Sequence, residues 1–307
     1  MMSSTLQNWI EASRPRTLPV SVAGVGAGCA IAIILGSFRW LPALLCLLFA
    51  LLAQIASNFA NEYFDFHNGL DRRGREGFRR GVTEGDIAPK AMLRATLFTL
   101  ALACIVGCGL IFYGGWLMIP IGFVIALTAL AYSAGPYPLS HNGLGDIAVI
   151  MFFGLVPVCL TAWLQIPESS TIAAALPTSI GIGLLINNVL IVNNYRDADD
   201  DRAVGKRTTV VIFGRRRMAL VYLLNVIIGT PLAWYPILTR HISTMLTVAA
   251  ALICLAGIIR GHSLFRRLLA GQGAALNSLL KQTAMLSLFT TILLLASAIV
   301  YSYINIS

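Results

Sequence analysis

Nine stretches of this 307-residue chain, at 18–35, 41–60, 93–113, 116–132, 147–164, 172–192, 218–238, 243–259 and 283–303, run for 17 to 21 residues with almost no charge. About 20 apolar residues in a helix cross the hydrocarbon core of a bilayer, and a helix satisfies its own backbone hydrogen bonds there. The pattern predicts an all-α, polytopic membrane protein: a bundle of nine transmembrane helices. Nothing between the spans is long enough for a soluble domain, so residues 1–307 read as a single integral membrane domain. Charged residues make up 11% of the chain, less than half the roughly 25% of soluble domains. That share excludes a disordered chain, a nucleic-acid-binding protein and an ordinary soluble enzyme. Residues 1–17 have no apolar core, so they read as an interfacial lead-in through Trp9, Arg14 and Arg16, not as a removable signal.

With the N-terminus taken as inside, twenty of the 22 Lys and Arg residues fall on the inner side, leaving Arg39 and Arg240 outside. The positive-inside rule then puts the N-terminus in the cytoplasm of a cell-membrane protein. Acids obey no such rule, yet ten of the thirteen lie in two places on that same side, 62–86 and 197–201. A different cause is needed for them.

Both acidic clusters close a span with the same pattern. Asn61-Glu62-Tyr63-Phe64-Asp65 and Asn193-Asn194-Tyr195-Arg196-Asp197 each read Asn-x-Tyr-x-Asp, 132 residues apart. Spans one to four and five to eight are therefore read as two four-helix halves, about 10–141 and 142–260, with a ninth helix at about 283–303. At about 100° per residue, Gln54, Ser57, Asn58, Asn61 and Asp65 form one stripe. Asn187, Asn193, Asn194, Asp197 and Asp201 form another. Polar groups in lipid are costly unless satisfied, so the stripes should face each other across a polar cavity. Asn68-Gly69 can end the second helix and bring Asp71 round to Asp65. Four carboxylates gathered there must either rise in pKa or be neutralised by a cation. All-oxygen ligands favour Mg²⁺, which bridges sparse carboxylates to substrate phosphates. Arg75, Arg79, Arg80, Lys206 and Arg207 follow the acids and suit a phosphate. A phosphate at the mouth of an apolar cavity points to a polyprenyl diphosphate with its tail in the bilayer. Its departing diphosphate would leave an allylic cation for an electron-rich acceptor.

Asn61-x3-Asp65-x5-Asp71 and Asp197-x3-Asp201 resemble the two Asp-rich motifs of the UbiA-type intramembrane prenyltransferases. The likeness covers most of the chain. It is closest to the branch that prenylates 1,4-dihydroxy-2-naphthoate in menaquinone synthesis. Arg14-Pro15-Arg16-Thr17-Leu18-Pro19 looks like that branch's opening motif, and Arg75-x-Gly77-x-x-Arg80 like part of its first loop. Gly135-Pro136-Tyr137-Pro138-Leu139 and Gly143-Leu144-Gly145-Asp146 look like its middle loop, and Gly205-Lys206-Arg207-Thr208 closes its second Asp-rich loop. The resemblance implies that Asn61, Asp65, Asp71, Asp197 and Asp201 hold Mg²⁺ and diphosphate, the four acids being catalytic. It makes Arg75, Arg80 and Lys206 phosphate contacts, with Asn193 and Tyr132 as further substrate contacts. It also implies that a small aromatic acceptor, dihydroxynaphthoate, loses CO2 as the chain attaches, giving demethylmenaquinone. Two departures stand out: Phe78 replaces a frequent Pro, and the middle loop lacks the basic residue of the 4-hydroxybenzoate branch.

Other polar residues carry competing readings. Tyr132 and Tyr137 suit either the substrates or the aromatic belt. Asp146 suits either the acceptor or a helix cap. His67, between two motif acids, suits either a neighbour of the ligands or a solvated loop; His141, His241 and His262 read as ordinary loop residues, and the six cysteines as small packing residues. Rival functions are prenyl transfer to 4-hydroxybenzoate, haem, homogentisate or chlorophyllide, a CDP-alcohol phosphotransferase, and a secondary transporter. A transporter should hold its polar site near the midplane.

Overall fold

Each apolar run falls on a helix in the computed structural model, which describes residues 4–73, 78–240 and 243–306 and contains no β-strand among them. A short surface helix, α1 (Ser4–Ala12), precedes α2 (Pro19–Ile34), α3 (Trp40–His67), α4 (Pro89–Cys108) and α5 (Met118–Ala131). The chain continues through α6 (Gly145–Gln165), which has a π turn at Ile150–Leu155. It ends in α7 (Ser169–Ala203), α8 (Arg215–Ala233), α9 (Thr244–Ala270) and α10 (Leu276–Ile306). Seven helical stretches meet the length and apolarity of a crossing helix. The difference from the nine expected has two sources. Helix α2 is only 16 residues long. Helices α4 and α5 belong to one 43-residue apolar stretch, within which the chain turns at Gly115, φ +67°. The protein is a multi-pass membrane protein.

Helices α3 and α7 are among those longer than their apolar runs. At 1.5 Å per residue, the 28 residues of α3 and 35 of α7 span about 42 and 52 Å, against a hydrocarbon core of about 30 Å. Their C-terminal turns therefore leave the apolar region, and these turns carry both acidic clusters. Helix α3 starts beside Arg39, whose backbone N–H donates to Gln165 Oε1 at 2.6 Å at the end of α6. The acids thus lie at one end of the bundle and Arg39 at the other.

Helix α7 is the most enclosed of the crossing stretches, packed against α8, α6, α10 and α2. Small residues permit this. A Cβ on Gly154 of α6 would lie 2.4 Å from Gly183 Cα of α7, and one on Gly181 would lie 2.3 Å from Ala233 N of α8. Without a hydrophobic drive between helices in lipid, such close backbone packing supplies the attraction. Phe112, Trp116 and Met245, among the most exposed apolar side chains, face where lipid would be. Helix α5 packs on α3 and α4, whereas α6, next in sequence, packs on α2 and α7.

Candidate active site

The divergence of α5 from α6 leaves a cavity of about 480 Å³. Its walls are apolar over most of their length, with Val25, Phe49, Leu110, Ile121, Phe152 and Leu160 among them. Its polar end is built by the last turns of α3 and α7. All five residues of the α3 stripe line it, as do Asn193, Asn194, Asp197 and Asp201 of α7. Asn187 does not line it; buried, it donates from Nδ2 to Asp146 Oδ1 at 3.1 Å. The two stripes face one cavity, as their helical phase requires.

Both helices end alike. Four residues after Asp65 stands Gly69 (φ +68°), and four after Asp201 stands Gly205 (φ +78°). Left-handed backbone there suits glycine. It folds the chain back so that Leu70 N–H donates to Asp65 O and Lys206 N–H to Asp201 O, each at 2.8 Å. The second fold-back aims Lys206 into the cavity.

Asp65, 1% exposed, accepts from Lys206 Nζ at 2.9 Å on Oδ2 and contacts His141 Nε2 at 3.0 Å on Oδ1. Arg80 donates from Nη1 to Asn61 Oδ1 at 3.0 Å. It also lies 3.8 Å from Asp65 Oδ2 and 3.4 Å from Asp71 Oδ2. Asn61 accepts from Arg14 as well and donates to Ser133 Oγ at 3.0 Å. On the α7 side, Arg196 folds onto its neighbour Asp197 with two bonds, at 2.7 and 2.8 Å, and donates to Asn193 Oδ1 at 2.8 Å. Asp201 is 6% exposed. Arg72 pairs with Asp200, joining the two acidic loops.

These contacts revise the expected convergence of four carboxylates. Among the described residues no three His, Cys, Asp or Glu side chains form a cluster able to hold a cation. The acids stand on two walls, and Asp65, Asp71 and Asp197 each have a cationic partner. Uncompensated buried charges would cost several kcal/mol each, so pairing wins. Asp71 lies behind the cavity, bordering a small pocket of about 30 Å³ with Asp201. Tyr132 and Asn193 line the main cavity. Arg75 and His241 lie outside the described residues. Arg79 turns outward onto Asp86 at 2.8 Å, and Arg207 is exposed.

Several secondary readings are resolved. Tyr137 is 62% exposed. His67 is exposed and stacks on Tyr63, ring centroids 5.8 Å apart. His262 lies within α9, which runs eleven residues beyond the predicted end at 259. The six cysteines are free; Cys104 and Cys108 are exposed and line the cavity instead of packing in a core. Asp146 is no cap, since the cap position is Leu144. The sequence reading missed His141, whose position between two middle-loop motifs was the available signal, and the contacts of Arg14 and Arg196. Arg14 holds φ +54°, uncommon for a residue with a side chain, in the turn between α1 and α2. Phe78 is sandwiched between Arg16 and Arg196, with guanidinium carbons 5.1 and 5.0 Å from its ring centre.

Residues 21–278 match the model of the UbiA prenyltransferase family. The chain is 39% identical over 217 residues to the 1,4-dihydroxy-2-naphthoate octaprenyltransferase of Escherichia coli K12, covering 69% of this chain and 70% of that one. It is 33% identical over 219 residues to the Mycobacterium tuberculosis protein of the same name, covering 71% and 74%. A UbiA homolog from Archaeoglobus fulgidus, solved bound to GPP and Mg²⁺, superposes over 96% of this chain and 99% of that one, with a TM-score of 0.69 at 17% identity. With its helical bundle, paired acidic helix ends and shared motifs, the chain belongs to the UbiA prenyltransferase family.

Proposed function

We propose that this protein transfers a polyprenyl group from polyprenyl diphosphate to 1,4-dihydroxy-2-naphthoate, with loss of CO2 and diphosphate, forming demethylmenaquinol, the reduced form of demethylmenaquinone. One observation carries the reading: an apolar cavity that ends in two facing stripes of amide, carboxylate and cationic side chains. A molecule with a long hydrocarbon tail and a diphosphate head matches both parts. The relatives named for this reaction in two bacteria support the choice of acceptor. The polar groups sit at one rim and not at mid-depth, which disfavours transport. The charge asymmetry supports a cell-membrane protein whose N-terminus and acidic loops are cytoplasmic.

The donor set suits a hard cation. Asn61 and Asp65 on one wall, with Asp71 behind them, and Asp197 and Asp201 on the other offer only oxygens, and too few on either wall for an all-protein cage. Mg²⁺ is characteristically held by one or two carboxylates together with substrate phosphates. Once bound, it would stabilise charge on the departing diphosphate. Lys206 and Arg80, freed from Asp65 by the substrate, turn to diphosphate oxygens, joined by Arg75, Asn193 and Tyr132. The apolar walls hold the prenyl chain and keep water from the allylic cation as the carbon–oxygen bond breaks. The acceptor's electron-rich ring carbon then attacks that cation, and the ring loses its carboxyl group as CO2, keeping both hydroxyl groups as a hydroquinone.

Product analysis tests this. Purified protein is given a polyprenyl diphosphate, Mg²⁺ and one acceptor at a time. Demethylmenaquinol from dihydroxynaphthoate, recovered as demethylmenaquinone after oxidation in air and abolished by EDTA, is the expected result. A product only from 4-hydroxybenzoate or another acceptor would overturn the acceptor, and transfer to none would overturn the reaction. Asp65→Ala and Asp197→Ala should each lose turnover while remaining inserted; near-normal activity in either would remove that residue from the metal site.

A further inference from the structure

We propose that Asp146 binds the aromatic acceptor through a ring hydroxyl group and sets the ring's orientation. This rests on reading the cavity as an aromatic prenyltransferase site.

Asp146 lines the cavity in the first turn of α6. Its two oxygens are fixed from other elements. Asn187 of α7 donates to Oδ1 at 3.1 Å, and Thr209 Oγ1, at the start of the short helix Thr209–Phe213, donates to Oδ2 at 2.6 Å. Both are neutral donors. Among the described residues no Lys, Arg or His pairs with Asp146, unlike Asp65, Asp71 and Asp197. A carboxylate oxygen accepts more than one hydrogen bond, so each Asp146 oxygen keeps acceptor capacity after these contacts. Beside it, Asn187 Oδ1 is buried with no hydrogen-bond partner. Asp146 therefore offers acceptor capacity at the cavity wall, with the Asn187 oxygen buried behind it, and a hydroxyl donor is the ligand that matches it.

The position is right for the acceptor and wrong for the diphosphate. A carboxylate without a cation repels phosphate, whereas a phenolic hydroxyl donates to it. Thr209 follows Lys206 by three residues, so one loop fixes both Asp146 and the partner of Asp65. The acceptor ring is thereby set next to the diphosphate end. The Tyr132 hydroxyl is close by, 3.6 Å from where a Cβ on Gly145 would stand, which gives the ring an aromatic neighbour. Like charge also turns the acceptor's own carboxylate away from Asp146, leaving a hydroxyl edge to face it.

The test pairs Asp146→Asn with dihydroxynaphthoate and its mono-methoxy analogues as prenyl acceptors. In the unaltered protein, methylating the contacted hydroxyl should raise the acceptor KM roughly 10- to 100-fold, the range for a hydrogen bond to a charged group. Asp146→Asn should raise KM for dihydroxynaphthoate by a similar factor, leave KM for polyprenyl diphosphate within about twofold, and lose the penalty for methylation. A purely structural Asp146 would not couple to one hydroxyl. An unchanged acceptor KM in Asp146→Asn, or an equal methylation penalty in both proteins, overturns the proposal. If Asp146→Asn does not fold, Thr209→Val takes its place: a several-fold rise in acceptor KM alone supports the proposal, and no change overturns it. Failure of the unaltered protein to prenylate dihydroxynaphthoate overturns the functional reading itself, an outcome distinct from these.

Discussion

Replacing Lys206 by Met should destabilise the protein and abolish its chemistry, and the two effects can be separated. Lys206 Nζ lies 2.9 Å from Asp65 Oδ2, with side chains 9% and 1% exposed. Removing one partner of a buried pair costs about 3–5 kcal/mol, because the other charge is left uncompensated. Here Asp65 keeps His141 at 3.0 Å and Arg80 at 3.8 Å, so the loss should fall to about 1–3 kcal/mol. Adding Asp65→Asn removes the orphaned charge. Neutralising both members of a pair is often near neutral, so the double variant should recover at least half of the lost stability. Its prenyl transfer should remain absent, since both a phosphate contact and an oxygen ligand are gone. Thermal unfolding in detergent at a fixed scan rate reads the first effect, and product formation from polyprenyl diphosphate reads the second. Two results would refute the reasoning: an unchanged melting temperature for Lys206→Met, or a double variant whose loss is the simple sum of the two single losses.

His141→Ala should lower stability by about 0.5–1.5 kcal/mol through the lost contact to Asp65 and reduce kcat/KM for polyprenyl diphosphate, read by steady-state kinetics. Gly154→Ala drives a methyl group to within 2.7 Å of Ser179 O as well as onto Gly183. Backbone atoms cannot step aside, so about 1–3 kcal/mol should be lost. Gly122→Ala meets nothing within 4 Å and should melt no lower than the parent. Phe78→Ala removes two cation–π contacts, each worth about 0.5–2 kcal/mol. It should raise KM for polyprenyl diphosphate a few-fold while leaving KM for the acceptor unchanged.

The helices and the stripes were readable from sequence because both are local. Apolar runs announce a span without any knowledge of neighbours, and a 100° phase angle decides which of Gln54 to Asp65 share a face. The ends of α3 and α7 were less readable, because polarity lets a helix run on past the lipid; hence the surprise of His262 within α9. The pairing of the acids was hidden for another reason. Asp65 meets His141 and Lys206 from 76 and 141 residues away, contacts that no periodicity encodes. Arg196 and Asp197 point about 100° apart on an ideal helix, and only the length of the arginine lets it reach back over its neighbour. A reading that counted carboxylates therefore foresaw the charge but not its compensation.

The π turn of α6 bears on how this chain tolerates changes in length. A π turn holds one residue more than the α-helix it interrupts. Within Ile150–Leu155 the helix has a residue to spare, and losing it would leave Asp146 on one side and Val158 on the other facing as they do now. Elsewhere in α6 the loss of one residue would swing Asp146 by about 100°, away from Asn187 and Thr209 and out of the cavity. Single-residue gaps between homologous chains should therefore gather in this turn, which makes it a place where an alignment can slip by one position without any side chain of the site changing its address.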